Sequence, residues 1–195
     1  MNERSRQAIH LLGILFILVA QLLLPIERLL LFFGIAFLFL LYSLYLQRPQ
    51  PPLRRLVGWL DRRLRPLLLR YERPGPPFRG AFWFYMGCGI AFLLFPLPAA
   101  TAAGLILAIG DSLSTLVGRR YGRLELLAGK TVEGTLAFFV AATAISFLLG
   151  QPLLGAFAAT AGELLPALFP GLREKGWLDD NLLIPLFAGA VFVLG

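Results

Sequence analysis

Residues 99–135 read AATAAGLILAIGDSLSTLVGRRYGRLELLAGKTVEGT. The stretch opens as an apolar run from about Ala99 to Val117, long enough for a membrane helix, with a carboxylate, Asp111, inside its second half. A basic loop from Arg119 to Lys130 follows, and another apolar run begins at Val132. Between Gly110 and Thr135 stand three carboxylates (Asp111, Glu125, Glu133), four cations (Arg119, Arg120, Arg123, Lys130) and five glycines. A helix that only crosses a bilayer has no use for that concentration. The stretch predicts a membrane helix bundle with a polar site at one end.

The flanking sequence agrees. Of 195 residues, 58% are hydrophobic and 15% charged, and the mean hydropathy is +0.76, whereas soluble domains carry about 25% charged residues. Period-2 alternation is absent, which argues against an outer-membrane barrel. The expected class is all-α: a polytopic membrane helix bundle, one domain over residues 1–195, with about seven transmembrane helices and one interfacial amphipathic helix. The apolar runs are Ile9–Leu24, Leu29–Leu46, Ala81–Phe95, Ala99–Val117, Val132–Leu149, Leu153–Phe169 and Leu182–Leu194. No small-residue cleavage site precedes Pro25, so the first run reads as an uncleaved helix, and Pro25–Arg28 reads as a tight turn. The last run is short and must start within the polar residues before it, tilt little, or sit in a thinned bilayer.

Gln47–Arg79 differs in character. It holds nine arginines between proline clusters, with leucines at helical spacing. This predicts an amphipathic helix in the membrane interface, kinked at Pro66, that anchors to anionic lipid headgroups or takes part directly in substrate binding. Seven spans place every one of the 18 Lys and Arg residues except Arg28 on one side. By the positive-inside rule that side is the cytoplasm, so the N-terminus and the site are expected there and the C-terminus opposite. Topology and lipid account for the formal charge of +7, and no nucleic-acid partner is expected. Cys88, the single cysteine, reads as a packing residue.

Several residues suit chemistry. A carboxylate inside a membrane span costs about 2.5–3.5 kcal/mol, which marks Asp111 as a site residue or else a structural partner of Arg119 or Arg120 along the same helix, and marks Glu163 as a site residue that faces the bundle interior. Asp111, Ser114, Thr115 and Gly118 share one helix face by their spacing. Lys130 precedes a helix start that Thr131 is placed to cap, and free N–H groups there, with Lys130 and the arginines, suit a polyphosphate. The sequence is not a Walker A loop, because Leu124 stands where the first glycine is required. Glu133 either stabilises the helix dipole or joins Asp111 in binding Mg²⁺ beside phosphate oxygens. Asp179, Asp180 and Asn181 begin the seventh run, with Asp180 or Asn181 as its N-cap or facing the same pocket. His10, the only histidine, lies one turn after Arg6 and makes an interfacial hydrogen bond or a ligand contact.

Together these residues resemble the CTP-dependent polyprenol kinase family, which includes dolichol kinase, phytol kinase and the CTP-dependent diacylglycerol kinase. The resemblance covers most of the chain. It rests on Arg6 and His10; on Gly110, Asp111, Ser114, Gly118 and Gly122; on Gly129, Lys130, Thr131, Glu133 and Gly134; on Glu163; and on Asp180, Asn181 and Pro185. Gln7 departs from the basic residue that members often carry there. The resemblance implies transfer of the γ-phosphate of CTP to the hydroxyl of an isoprenoid alcohol or diacylglycerol. It implies a nucleotide held by Lys130, Arg119, Arg120, Arg123, Gly118, Gly122 and Thr131, and Mg²⁺ held by Asp111, Glu133 and Asp180. Asp111, Lys130, Glu133 and Glu163 would be catalytic, with Glu163 or Asp111 acting on the alcohol, and Arg6, His10 and Asn181 would line the pocket. The CTP:phosphatidate cytidylyltransferases look similar across the central blocks, but the later acidic and histidine-bearing blocks of that group are missing after Gly134. A lipid transporter is the alternative of another class, and the repeated halves common in transporters are not visible.

Overall fold

The computed structural model describes residues 13–47, 77–176 and 178–194. Arg6, His10, the Pro66 kink and most of the 47–79 segment lie outside the described residues. Helices α1 (Gly13–Leu22), α2 (Pro25–Gln47), α3 (Arg79–Leu94) and α4 (Leu97–Tyr121) lead to a small antiparallel hairpin, β1 (Glu125–Leu127) with β2 (Lys130–Thr131). Then come α5 (Val132–Leu148), α6 (Leu154–Leu168), the short α7 (Pro170–Lys175) and α8 (Asp180–Leu194). Each expected apolar run, over its described residues, falls in a helix among these, the first from Gly13 onward.

Some boundaries shift for local reasons. Pro25–Arg28 is not a separate turn but the first turn of α2: proline suits the first helical position, and the Glu27 carboxylate accepts the Leu24 N–H at 2.8 Å. The basic loop is not irregular throughout. It pairs as a hairpin whose turn is closed by Gly129 at φ +75, a conformation that costs glycine little. The last helix starts at Asp180, within the polar residues, the first of the three ways its short apolar run leaves open.

The exterior of the bundle is greasy and the interior holds polar groups. Leu30, Phe37, Val140 and Phe147 are 67%, 57%, 58% and 75% exposed, while Ser114, Glu163 and Asn181 are buried. Such an apolar surface suits lipid and not water. Among the described residues, α2 and α4 are long and apolar enough to cross a membrane. Helices α3, α5, α6 and α8 have 16, 17, 15 and 15 residues. They rise about 22–26 Å, short of the ~30 Å hydrocarbon core, so seven full spans do not follow from helix length.

Small residues set the packing. The first half of α4 buries Ala99, Ala100, Ala102, Ala103 and Gly104, and Ile106 and Leu107 follow them into the core. Helix α8 lies between α6 and α3, approaching backbone to backbone at Gly162 and Gly87. A Cβ at Gly162 would stand 2.9 Å from the Leu183 carbonyl oxygen and 3.0 Å from the Ile184 nitrogen. Gly162→Ala is therefore expected to cost about 1–3 kcal/mol, read as a lower unfolding midpoint in detergent. An unchanged midpoint would mean that α6 and α8 separate freely there.

Three helices are interrupted beside their polar residues. A π-helical segment, Ile106–Gly110, ends at Asp111. Pro166 follows Glu163 by one turn in α6, and Pro185 follows Asn181 by one turn in α8. Neither proline has an N–H to give the carbonyl four residues before it, at Gly162 and at Asn181.

Candidate active site

The site is built where α4, β2, α6 and α8 meet. Thr131 is extended at φ −112, ψ 153, and its hydroxyl accepts the Gly134 N–H at 3.2 Å, the capping role that its sequence position predicts. Close glycine contacts fix this corner. A Cβ on Gly118 would stand 2.9 Å from the Thr131 hydroxyl, and one on Gly134 would stand 2.8 Å from the Ser114 carbonyl. Gly118 and Gly122 thus let α4 approach the start of α5, which explains their presence without a ligand.

Held by this corner, Lys130 points inward. Its Nζ donates to Glu163 Oε1 at 3.1 Å and to Asp180 Oδ2 at 3.2 Å, with the lysine side chain 13% exposed. Burial works against its charge, but Asp180, Glu163 and Asp111 outweigh that and hold its pKa above the usual lysine range. Lys130 is a fixed cation. Glu163 is wholly buried and also accepts the Ser114 hydroxyl at 2.5 Å. Its second oxygen, Oε2, is buried without a hydrogen-bond partner among the described residues, and so is Asn181 Oδ1. A buried acceptor left open in this way costs energy and marks a place for an incoming donor or cation.

The start of α8 differs from expectation by one residue. Asp179, not Asp180 or Asn181, is the cap: its Oδ1 accepts the Asn181 main-chain N–H at 3.1 Å and the Asn181 Nδ2 at 2.9 Å. Capping by Asp179 leaves the Asp180 carboxylate for Lys130. Burial and the adjacent Asp180 charge push the Asp179 carboxyl up to about 7, against the donors of Asn181 and the Arg79 guanidinium.

Glu133 and the arginines lie apart from this centre. The Glu133 carboxylate accepts the main-chain N–H groups of Arg123 (3.0 Å) and Leu124 (3.5 Å). Arg119, Arg120 and Arg123 are exposed, and Arg120 lies 5.3 Å from the Tyr121 ring centroid. Arg120, Tyr121, Gly122, Arg123 and Glu133 line an open groove of about 400 Å³. Among the described residues no three acidic, histidine or cysteine side chains converge as a metal cluster, so Asp111, Glu133 and Asp180 do not meet. Lys130, Glu163 and Asp180, each marked by the sequence, are joined directly by the structure. The sequence gives Ser114 a place on a helix face and in the family resemblance but not the bond to Glu163, and gives Arg79 no site role.

No protein-family model and no solved structure matches the chain. It is 36% identical over 115 residues to an uncharacterized protein of Methanocaldococcus jannaschii, which covers 58% of this chain and 57% of that one. It is 33% identical over 122 residues to the dolichol kinase of Saccharomyces cerevisiae, 60% of this chain and 23% of the kinase. Over 149 residues it is 30% identical to the phytol kinase of Synechocystis, 67% of this chain and 63% of the kinase. The matches span less than two thirds of each relative's length. Over that part, the chain is a distant relative of a dolichol kinase and of a phytol kinase.

Proposed function

We propose that the protein is a membrane kinase moving the γ-phosphate of CTP to the hydroxyl of an isoprenoid alcohol or diacylglycerol. One observation carries this reading: a lysine buried between Glu163 and Asp180 at one end of an apolar bundle, beside a buried carboxylate oxygen that has no hydrogen-bond partner among the described residues. Phosphoryl transfer is chiefly positioning and charge stabilisation, and this centre offers a fixed cation, carboxylates and a dry wall. The lipid tail lies against the apolar helices while its hydroxyl reaches the polar level. Likeness to a dolichol kinase and a phytol kinase supports the acceptor class.

The roles follow from chemistry. Lys130 neutralises phosphate charge, with Arg119, Arg120 and Arg123 drawing the triphosphate in from the exposed side. Glu163, whose Oε2 is open, accepts the hydrogen of the alcohol, orienting it and taking its proton. Magnesium prefers carboxylate and phosphate oxygens; the described side chains form no three-ligand cluster by themselves, so Asp111 and Asp180 would hold the ion together with phosphate oxygens, and when bound it would offset charge on the phosphates. Glu133 would join them only by leaving the Arg123 and Leu124 amides. The seven helices would cross a bilayer locally thinned or flanked by polar residues, with the site on the cytoplasmic face and the Arg-rich segment on anionic headgroups.

Purified protein given γ-labelled CTP, magnesium and a panel of polyprenol, dolichol, phytol and diacylglycerol is expected to label at least one lipid. No lipid-bound label from any of them rejects the kinase reading. A transporter would also bind CTP no better than other nucleotides.

A further inference from the structure

Arg79 stands outside the polar centre yet reaches it through one chain of contacts. Its guanidinium donates to the main-chain carbonyls of Arg173 and, at 3.1 Å, of Glu174 at the end of α7. Its Nε lies 3.8 Å from Asp179 Oδ2. The other oxygen of Asp179 caps α8 through Asn181, so one carboxylate answers Arg79 and starts the helix. The next residue, Asp180, then meets Lys130 at 3.2 Å.

Two backbone features hold this arrangement. Phe78, just before Arg79, has φ 60, a left-handed conformation that a bulky residue adopts only where packing dictates it. Its buried ring packs against Phe39 and Tyr42 of α2, with centroids 5.6 and 5.3 Å apart. Gly176 is at φ +83 beside the guanidinium, and a Cβ there would lie 3.4 Å from Arg79 Cζ. The start of α3 and the turn after α7 are thus both shaped to bring arginine and carbonyls together.

We propose that Arg79 is a positioning residue: by clamping the 173–179 connection and the Asp179 cap, it fixes the first turn of α8 and so holds Asp180 against Lys130. Only the catalytic consequence rests on the kinase reading; the clamp itself does not.

The test compares wild type, Arg79→Ala, Arg79→Lys, Asp179→Asn and the Arg79→Ala/Asp179→Asn double variant, each purified whole in detergent. Hydrogen–deuterium exchange is read over residues 179–184 and, as an internal control, over 132–138. Arg79→Ala is expected to speed exchange in the first window alone and to lower kcat on the order of 10²-fold, as misplacement of a site group does, with KM for the lipid little changed. Arg79→Lys recovers part of both, because an ammonium still reaches one of the acceptors. The double variant is no worse than Arg79→Ala, since both changes cut one link. Unchanged exchange over 179–184 in Arg79→Ala, or losses that multiply in the double variant, overturns the clamp. Should Arg79→Ala fail to fold, Arg79→Lys and Asp179→Asn carry the same comparison, because Asp179→Asn keeps a capping oxygen for Asn181 and replaces the oxygen facing Arg79 by an NH2, which removes both the charge and the acceptor there. A wild type that transfers no phosphate rejects the kinase reading, and the exchange result then decides the clamp by itself.

Discussion

Lys130→Ala is expected to lower kcat on the order of 10²–10³-fold, the usual cost of removing one donor that stabilises transition-state charge, and to weaken CTP binding as well. It also destabilises the fold. The ammonium is the shared donor to Glu163 Oε1 and Asp180 Oδ2, and Glu163 is wholly buried. Removing one partner of a buried pair leaves an uncompensated charge and costs about 3–5 kcal/mol. Lys130→Arg is a poor rescue, because a planar fork does not replace a compact ammonium between two carboxylates. Thermal unfolding in detergent measures the loss of stability, and CTP titration of the folded fraction measures the loss of binding. Unchanged CTP affinity would remove Lys130 from the phosphate site and leave it a structural tie between β2, α6 and α8.

Glu163→Gln separates chemistry from folding. Glutamine keeps an oxygen for the Ser114 hydroxyl and for Lys130, and Lys130 retains Asp180. The fold should survive with little loss, since the substitution also removes a charge from an apolar setting. The amide oxygen is a poor base, however, so kcat is expected to fall about 10²–10⁴-fold while CTP affinity stays near wild type. Full activity in Glu163→Gln would transfer the role to Asp111, the other carboxylate that the sequence offers for it. The paired outcomes matter because Lys130→Ala lowers stability and activity together, whereas Glu163→Gln should lower activity alone.

How far the sequence foretells this centre depends on the range of the interaction. Glu163 is legible because an isolated carboxylate in an apolar run can be tolerated only inside the bundle, and it is wholly buried there. Thr131 is legible because capping is local and is set by residues three apart. The partners of Lys130 are not, since Glu163 and Asp180 lie far along the chain and no periodicity encodes such a pairing. The cap at Asp179 escapes the sequence for a different reason: three polar residues in a row all suit a cap, and only the fold decides which carboxylate turns toward Lys130. The π-helical segment before Asp111 has the composition of any apolar helix, so nothing in Ile106–Gly110 announces it. Arg79 reads with the arginine-rich segment, where its charge is one among nine; its carbonyl partners on α7 set it apart.

The fate of each phosphate of CTP tests the central assignment most directly. Purified protein and magnesium are incubated with the panel of lipid alcohols and, separately, with phosphatidate, each in parallel with α-labelled and γ-labelled CTP, and lipid and water-soluble products are separated. Phosphotransfer at the Lys130–Glu163–Asp180 centre predicts label in lipid from the γ position only, with α label recovered as CDP. Incorporation of α label into lipid with release of pyrophosphate would contradict it and make the protein a cytidylyltransferase.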